Sequence, residues 1–214
     1  MRKNQDTFYP DRFYHVFNRT NNKEKLFTQP KNYEYFLGKY DNYLSDVLTT
    51  YVYCLLGNHF HLLVKIHSEN LLLQFENERR SFEERSSSPT DEEFDAYKIV
   101  SKQFATFFGT YSKAFNKQEN RYGSLFQKPF KRVEIKNDVK FADVIYYIHA
   151  NPELHKIAPN FQKYKWSSFQ AFISNKPTKI ARAEVLDWFG GVHYFLDYHS
   201  ESHDFRTNSW AIEE

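Results

Sequence analysis

The sequence predicts an α+β fold in which helices cover an antiparallel sheet. Its 214 residues include 22 Phe and 16 Tyr, an aromatic content typical of a packed core and not of a disordered chain. Segments with the two-residue alternation of strands and segments with the periodicity of helices follow one another along the chain. The dipeptide Gly57-Asn58 separates two strand segments, which indicates a tight hairpin and therefore antiparallel pairing.

The first half of the chain carries the pattern β-α-β-β. Arg12–Thr20 alternates and is rich in aromatic residues, so it is predicted to be a strand. Lys31–Asp46 places its apolar side chains near helical spacing. Thr49–Leu56 is rich in β-branched and aromatic residues and is predicted to be the second strand. After the two-residue turn, His59–Ile66 is the returning strand of the hairpin.

The second half continues with helix, strand and helix. Leu71–Asn116 is mostly helical in pattern, with an exposed loop predicted at Ser86–Glu93. Phe126–Ile135 is predicted to be a strand, and Pro129 within it indicates an edge position or a bulge. A helix is predicted from Asp138 to Ala150, because the Asn-Pro pair that follows disfavours the α conformation before the proline.

The order β-α-β-β-α-β-α predicts a ferredoxin-like βαββαβ core with an antiparallel sheet and added C-terminal helices. We place the main domain at residues 1–175 and a C-terminal extension at 176–214. The acidic stretch at 73–100 is predicted to be a charged helical insertion in the main domain.

The bulk properties predict a cytoplasmic protein with no membrane partner. No stretch approaches the roughly eighteen consecutive apolar residues of a transmembrane helix, and the mean hydropathy is −0.74. The first fifteen residues lack the apolar run of a signal peptide. The single cysteine, Cys54, excludes an intramolecular disulfide framework.

Charge is distributed unevenly along a chain whose net charge is only +2. Residues 101–140 hold nine Lys or Arg against three Asp or Glu, interleaved with Phe and Tyr. Residues 70–100 hold eight acidic residues against four basic ones. The basic segment suits a polyanionic partner such as nucleic acid, and an ordinary solvated surface is the alternative interpretation.

Two histidines, His59 and His61, flank Phe60 at the start of the returning strand. Because alternate residues of a strand share one face, both imidazoles are predicted to point to one side. Such a pair can bind a divalent metal such as Mn²⁺, Zn²⁺, Fe²⁺ or Ni²⁺. The opposite face, with Phe60, Leu62 and Val64, is predicted to pack on helices. Taken alone, the pair is more often two ordinary histidines than a metal site.

A second candidate group lies in VIYYIHANP, Val144–Pro152. Tyr147 and Asn151 are four residues apart, which places them on one face of a helix. A phenol is a weak nucleophile unless a metal or base assists it. A metal at the histidine pair, with the Asn151 amide oxygen as third ligand, would polarise a phosphodiester for attack by Tyr147. Tyr146 is the alternative nucleophile, since it lies about 100° around the helix and only one tyrosine can share the face of Asn151.

Five stretches of the sequence, in this order, are similar to the HUH single-tyrosine transposases, in particular to the REP-associated tyrosine transposase branch. Together they span most of residues 12 to 170. They are YHVFNRT at Tyr14–Thr20, LLGNHFHLLVKI at Leu55–Ile66, FNKQENRYGSLFQKPFK at Phe115–Lys131, YIHANP at Tyr147–Pro152, and WSSF at Trp166–Phe169.

The resemblance implies that residues 1–175 form a catalytic domain with a divalent metal, Mg²⁺ or Mn²⁺. It implies metal ligands at His59, His61 and Asn151 and a nucleophile at Tyr147. The implied substrate is single-stranded DNA, often presented as a hairpin, which is cleaved and rejoined through a 5′-phosphotyrosine link. Relatives work as monomers and as homodimers, and both states remain open for this chain.

The basic and aromatic segment from Arg121 to Arg132 is predicted to hold the DNA. Its cations would contact phosphates, and its aromatic rings would stack on bases at about 1–3 kcal/mol each. The candidate contact residues are Arg19, Arg121, Gln127, Lys131 and Arg132. The alternative functions are a non-catalytic single-stranded nucleic-acid-binding protein on the same fold, and a metal-binding or hydrolytic protein without a DNA role.

Overall fold

A computed structural model describes residues 4–79 and 94–206, with side chains described as far as residue 202. Half of the predicted insertion at 73–100, including the whole of the predicted loop at Ser86–Glu93, therefore lies outside the described ranges. No described helix is both long enough and apolar enough to span a membrane. Besides two short 3₁₀ turns at Asn21–Lys23 and Phe161–Lys163, the elements are β1 (Phe13–Arg19), α1 (Pro30–Leu44), β2 (Leu48–Leu55), β3 (His59–Ile66), α2 (Glu69–Arg79), α3 (Ala96–Gln118), β4 (Lys131–Ile135), α4 (Asp138–Leu154), α5 (Phe169–Phe172), α6 (Arg182–Phe189) and α7 (Val192–Arg206).

The four strands form one sheet in the order β2-β3-β1-β4, and every neighbouring pair is antiparallel. The register sets His61 of β3 opposite Phe17 of β1, and His59 opposite Arg19. Helices connect β1 to β2 and β3 to β4, as in a ferredoxin-like core. The predicted α+β class with an antiparallel sheet is confirmed.

The first face of the sheet packs against α1 and α3. Phe60, Leu62 and Val64 of β3 point into this layer and join a cluster of buried aromatic and aliphatic side chains. The ring of Phe36 on α1 lies 5.3 Å from that of Phe60 and 4.9 Å from that of Phe107 on α3. The prediction that this side of β3 packs on helices is confirmed.

Helix α4 covers the second face of the sheet, where Leu63 of β3 packs with Ile145 and Ile148. The helix begins after Asn137, whose side chain accepts a hydrogen bond of 2.8 Å from the backbone N–H of Lys140.

The predicted end of this helix at Ala150 is wrong, because α4 runs through Pro152 to Leu154. The proline is buried, and beyond it the N–H of His155 still donates to the carbonyl of Asn151 at 2.9 Å. Tertiary packing here overrides the local preference of the residue before proline. Asn151 consequently stays on the helix, one turn after Tyr147.

Strand β4 is shorter than predicted and lies at the edge of the sheet. Residues 126–130 form a loop that touches β1 through an isolated bridge between Phe126 and Thr20, and the Lys128–Pro129 peptide bond is cis. Pro129, predicted to lie within the strand, lies in this loop before β4, where its lack of an N–H interrupts no strand ladder. The N–H of Gln127 donates to the carbonyl of Arg19 at 2.9 Å, so this loop lies beside the end of β1.

The described part of the C-terminal extension packs onto the layer that contains α4. Val185 of α6 and Phe195 of α7 are fully buried in that core. His149 of α4 and His199 of α7 are also fully buried, and Nδ1 of His149 lies 2.9 Å from Nε2 of His199. The Nδ1 atom of His199 lies 2.7 Å from the carbonyl oxygen of Phe195, so His199 donates there and accepts from His149.

We expect this histidine pair to make the folded state sensitive to acid. Burial lowers the pKa of His199 to about 4 and holds the pKa of His149 well below its usual range, so both are neutral when folded. In the unfolded chain each titrates near about 6.5. The unfolded chain therefore takes up more protons as the pH falls from about 6.5 towards 4, and stability is lost across that window.

The substitution His199→Gln keeps an acceptor for His149 but removes one titrating group. Between pH 7 and pH 4, the free energy of unfolding should fall by about 3 kcal/mol less in this variant than in the wild type. Urea unfolding at the two pH values measures the difference. An equal fall in both proteins would contradict the expectation.

Candidate functional site

The candidate site begins with the first and third residues of β3. The turn before β3 is closed by a hydrogen bond of 2.8 Å from the N–H of Leu56 to the carbonyl of His59. The side chains of His59 and His61 lie on the α4 side of the sheet, with ring centroids 5.2 Å apart. They are 7% and 2% exposed, so the structure places two buried imidazoles side by side on one face.

Helix α4 presents a stripe of polar side chains to these imidazoles. Tyr147, Asn151 and His155 follow one another at four-residue intervals, which stacks them along one side of the helix. The ring of Tyr147 lies 5.5 Å from that of His61, and the ring of His155 lies 4.8 Å from that of His59. Asn151 stands in the sequence of α4 between the residues that make these two contacts.

The two candidate nucleophiles point in different directions. Tyr147 is 8% exposed and faces His61. Tyr146 is 1% exposed, and its ring lies 5.9 Å from that of His199 and 6.3 Å from that of Phe161, in the C-terminal core. The structure therefore places Tyr147, and not Tyr146, beside the histidine pair.

Asn151 has a buried side-chain oxygen that could serve as a metal ligand. The residue is fully buried, and its Nδ2 donates to the carbonyl of Tyr147 at 2.7 Å, which leaves Oδ1 on the other side of the amide. This Oδ1 atom accepts a hydrogen bond from none of the described residues. A buried acceptor without a partner costs about 1–3 kcal/mol, and a metal ion would offset that cost.

The donor set fits a divalent metal ion. Two imidazoles and one amide oxygen form a borderline set that accepts ions such as Mn²⁺. Among the described residues, no group of three or more His, Cys, Asp or Glu is arranged to hold a metal. The fit therefore depends on the amide of Asn151 as the third donor.

Two neighbouring side chains orient the imidazoles. Oδ1 of Asn58 lies 2.7 Å from Nδ1 of His59, and Nε2 of His15 lies 3.0 Å from Nδ1 of His61. Burial, with smaller effects from nearby histidines, holds the pKa of His61 well below its usual range. Burial also lowers the pKa of His15 to about 3. The rings of His61 and His15 are therefore neutral near pH 7. Neutral imidazole is the form in which His61 could bind a metal.

Sequence analysis missed three residues of this site. Asn58 belongs to the predicted turn, and the sequence indicates only a turn-forming role for it. His15 reaches His61 because β1 pairs with β3. Phe17 lies opposite His61 in that pairing, and His15, two residues earlier, is on the same face as Phe17. This shared face is the feature of the sequence that could have indicated His15. His155 lies beyond the Asn-Pro pair, where the helix was predicted to have ended.

A pocket that opens to solvent is lined in part by His59 and His61. It brings together three of the predicted DNA-contact residues, Arg19, Gln127 and Lys131. The ammonium group of Lys131 lies 5.5 Å from the centre of the Phe17 ring. The lining residues are Phe17, Asn18, Arg19, His59, Phe60, His61, Gln127, Pro129 and Lys131.

The other two predicted contact residues lie away from this pocket. Arg121 forms an ion pair with Glu24 at 2.7 Å and donates to the side chain of Asn116. Arg132 is only 5% exposed, and its Nε donates to the carbonyl of Asp6 at 2.6 Å.

Arg132 therefore has a structural role in place of the predicted DNA contact. Its guanidinium group lies between 4.8 and 5.3 Å from the ring centres of Phe8, Tyr97 and Phe130. These contacts hold the N-terminal segment against α3 and the loop before β4.

The chain is similar to a known protein in its three-dimensional structure, whereas its sequence matches none of those compared. No family model and no curated protein matches the sequence. Among solved structures, the chain is similar to a REP-associated tyrosine transposase bound to a REP hairpin, with a TM-score of 0.53 and 14% sequence identity. The likeness covers 85% of this chain and 92% of that chain. At this identity the likeness is one of fold, and the chain shares its fold with a tyrosine transposase.

Proposed function

We propose that this protein is a metal-dependent transposase of the HUH single-tyrosine type, which cleaves and rejoins single-stranded DNA. The observation that carries the proposal is the contact of the Tyr147 ring with the ring of His61, with the buried Asn151 oxygen one helical turn after Tyr147 on α4. The fold it shares with a tyrosine transposase supports the same conclusion. That neighbour is bound to a REP hairpin, which supports hairpin DNA as the substrate class here.

In the proposed reaction, Tyr147 is the nucleophile. Its Oη attacks the phosphorus of a phosphodiester, and the Oη–P bond forms as the bond from phosphorus to the 3′ oxygen breaks. The phenol loses a proton and the 3′ oxygen gains one, which leaves a 5′-phosphotyrosine link and a free 3′-OH. Because the link is itself a phosphodiester, the 3′-OH of another strand can reverse the step and rejoin the DNA.

The metal ligands of the proposed site are His59, His61 and Asn151. These residues would hold a divalent ion, Mg²⁺ or Mn²⁺, which would supply Lewis-acid polarisation of the phosphate. Neutral imidazoles and an amide oxygen carry no negative charge. The net charge of such a site would therefore remain that of the ion, which favours binding of a phosphate. These three ligands and Tyr147 all belong to one chain, so a monomer carries the complete set of proposed site residues.

The DNA strand is proposed to enter through the pocket beside the histidines. Arg19 and Lys131 would contact phosphates, and Gln127 would offer hydrogen bonds to a base or sugar. The half-buried ring of Phe17, next to Lys131, is placed to stack on a base near the reacting phosphate. Arg121 would lie at the periphery of this interface.

The assignment of the nucleophile is tested with a labelled hairpin oligonucleotide and Mn²⁺. The wild type should form a covalent protein–DNA adduct, and Tyr147→Phe should form none while it still binds the DNA, since only the hydroxyl is lost. Tyr146→Phe is the matched control and should keep the adduct, because Tyr146 faces the C-terminal core. Denaturing gel electrophoresis separates adduct from protein.

An adduct that persists in Tyr147→Phe would disprove the assignment of the nucleophile. If the wild type binds the hairpin but forms no adduct with Mn²⁺ or Mg²⁺, the protein is a non-catalytic binding protein on this fold.

The third ligand is tested through metal affinity in the absence of DNA. Asn151→Ala should weaken Mn²⁺ binding by at least about tenfold, because it removes one of three donor atoms. Asn151→Asp keeps an oxygen at the same place and should bind Mn²⁺ at least as tightly as the wild type. Isothermal titration calorimetry measures both, and an unchanged affinity in Asn151→Ala would remove Asn151 from the site.

The pocket is tested through the salt dependence of DNA binding. Lys131→Ala should weaken binding of a labelled hairpin and reduce the slope of log affinity against log salt by about one. Lys102→Ala is the control, because Lys102 is exposed on α3, across the sheet from the site. Fluorescence anisotropy at several salt concentrations gives the slopes. Equal slopes for the two variants would place the DNA elsewhere.

A further inference from the structure

His15 and His61 are in direct contact where β1 pairs with β3. Nε2 of His15 lies 3.0 Å from Nδ1 of His61, and the ring planes differ by 25° with centroids 5.2 Å apart. His15 is 9% exposed, and the Phe17 ring stacks on it at 4.7 Å. An apolar side chain would fill this space without burying polar atoms, so the imidazole calls for another explanation.

Only one of two proton arrangements lets His61 bind a metal. A neutral imidazole carries a proton on one ring nitrogen and a lone pair on the other. If Nδ1 of His61 donates to His15, the lone pair of His61 is on Nε2. If His15 donates instead, the proton of His61 is on Nε2, and that atom cannot be a ligand. The direction of this one hydrogen bond therefore decides whether the site is competent.

The other histidine of the pair has an acceptor that allows one arrangement only. Oδ1 of Asn58 lies 2.7 Å from Nδ1 of His59, and an amide oxygen accepts but never donates. His59 therefore carries its proton on Nδ1 and its lone pair on Nε2. His15 occupies the corresponding place beside His61, and it accepts there when its own proton is on Nδ1.

We propose that His15 is a positioning residue of the metal site, which accepts a hydrogen bond from Nδ1 of His61 and thereby holds the lone pair of His61 on Nε2. The inference rests on the proposed function, since it concerns the metal site at His59, His61 and Asn151. In this role His15 touches neither the metal nor the DNA. It selects the tautomer and ring orientation of a ligand, as acceptors behind metal-bound histidines do.

The test compares His15→Gln with His15→Leu. The Oε1 atom of Gln lies near the place of Nε2 and can accept the same hydrogen bond, whereas Leu fills similar space without an acceptor. His15→Leu should weaken Mn²⁺ binding by about 10- to 100-fold in calorimetry, and His15→Gln should remain close to the wild type. In metal-free protein, nitrogen-15 chemical shifts should place the proton of His61 on Nδ1 in the wild type and in His15→Gln. In His15→Leu that preference should be lost.

Two results would overturn the inference. One is a folded His15→Leu protein, as judged by circular dichroism, that binds Mn²⁺ as tightly as the wild type. The other is a wild-type protein in which the nitrogen-15 shifts place the proton of His61 on Nε2. This measurement is made on the wild type and does not depend on whether any variant folds. If the wild type binds no Mn²⁺ at all, the proposed function fails, while the nitrogen shifts still decide the role of His15.

Discussion

The packing of α4 on the second face of the sheet is the contact on which the candidate site depends. The two-residue alternation of β3 puts His59 and His61 on the face that α4 covers. The four-residue spacing of α4 puts Tyr147, which contacts His61, and Asn151 on one side of the helix. Neither element has any chemistry of this kind alone. A slip of one residue in the register of β3 would turn both imidazoles into the layer of Phe60. The apolar packing on the first face therefore fixes the polar geometry on the second.

Several polar side chains are buried between the sheet and α4, among them His59, His61 and Asn151. Nδ1 of His59 and Nδ1 of His61 each meet an acceptor, and the Nδ2 group of Asn151 meets a backbone carbonyl. The Oδ1 atom of Asn151 receives no hydrogen bond from the described residues. A buried acceptor of this kind departs from the usual rule that buried polar atoms are hydrogen-bonded. Such departures are expected at functional sites.

The element order, the two faces of β3 and the four-residue pair on α4 were predictable because each is written in local sequence periodicity. The exceptions were set by contacts between distant segments. Packing carries α4 through Pro152, so the local rule gave too short a helix. Arg132 lies in a basic stretch of sequence, which predicted an exposed side chain. In the structure the rings of Phe8 and Tyr97 cover its guanidinium group. His15 becomes part of the site only through the pairing of β1 with β3.

The contact between α4 and α7, made by His149 and His199, has a mechanical consequence in the proposed reaction. In the proposed reaction one DNA strand is attached covalently to Tyr147, so any pull on that strand acts first on α4. The outer side of this helix is held by the buried contact of His149 with His199 and by a hydrogen bond of 2.8 Å from Tyr198 to Asp143. In that reaction the described helices α6 and α7, packed on α4, would brace the helix that carries Tyr147.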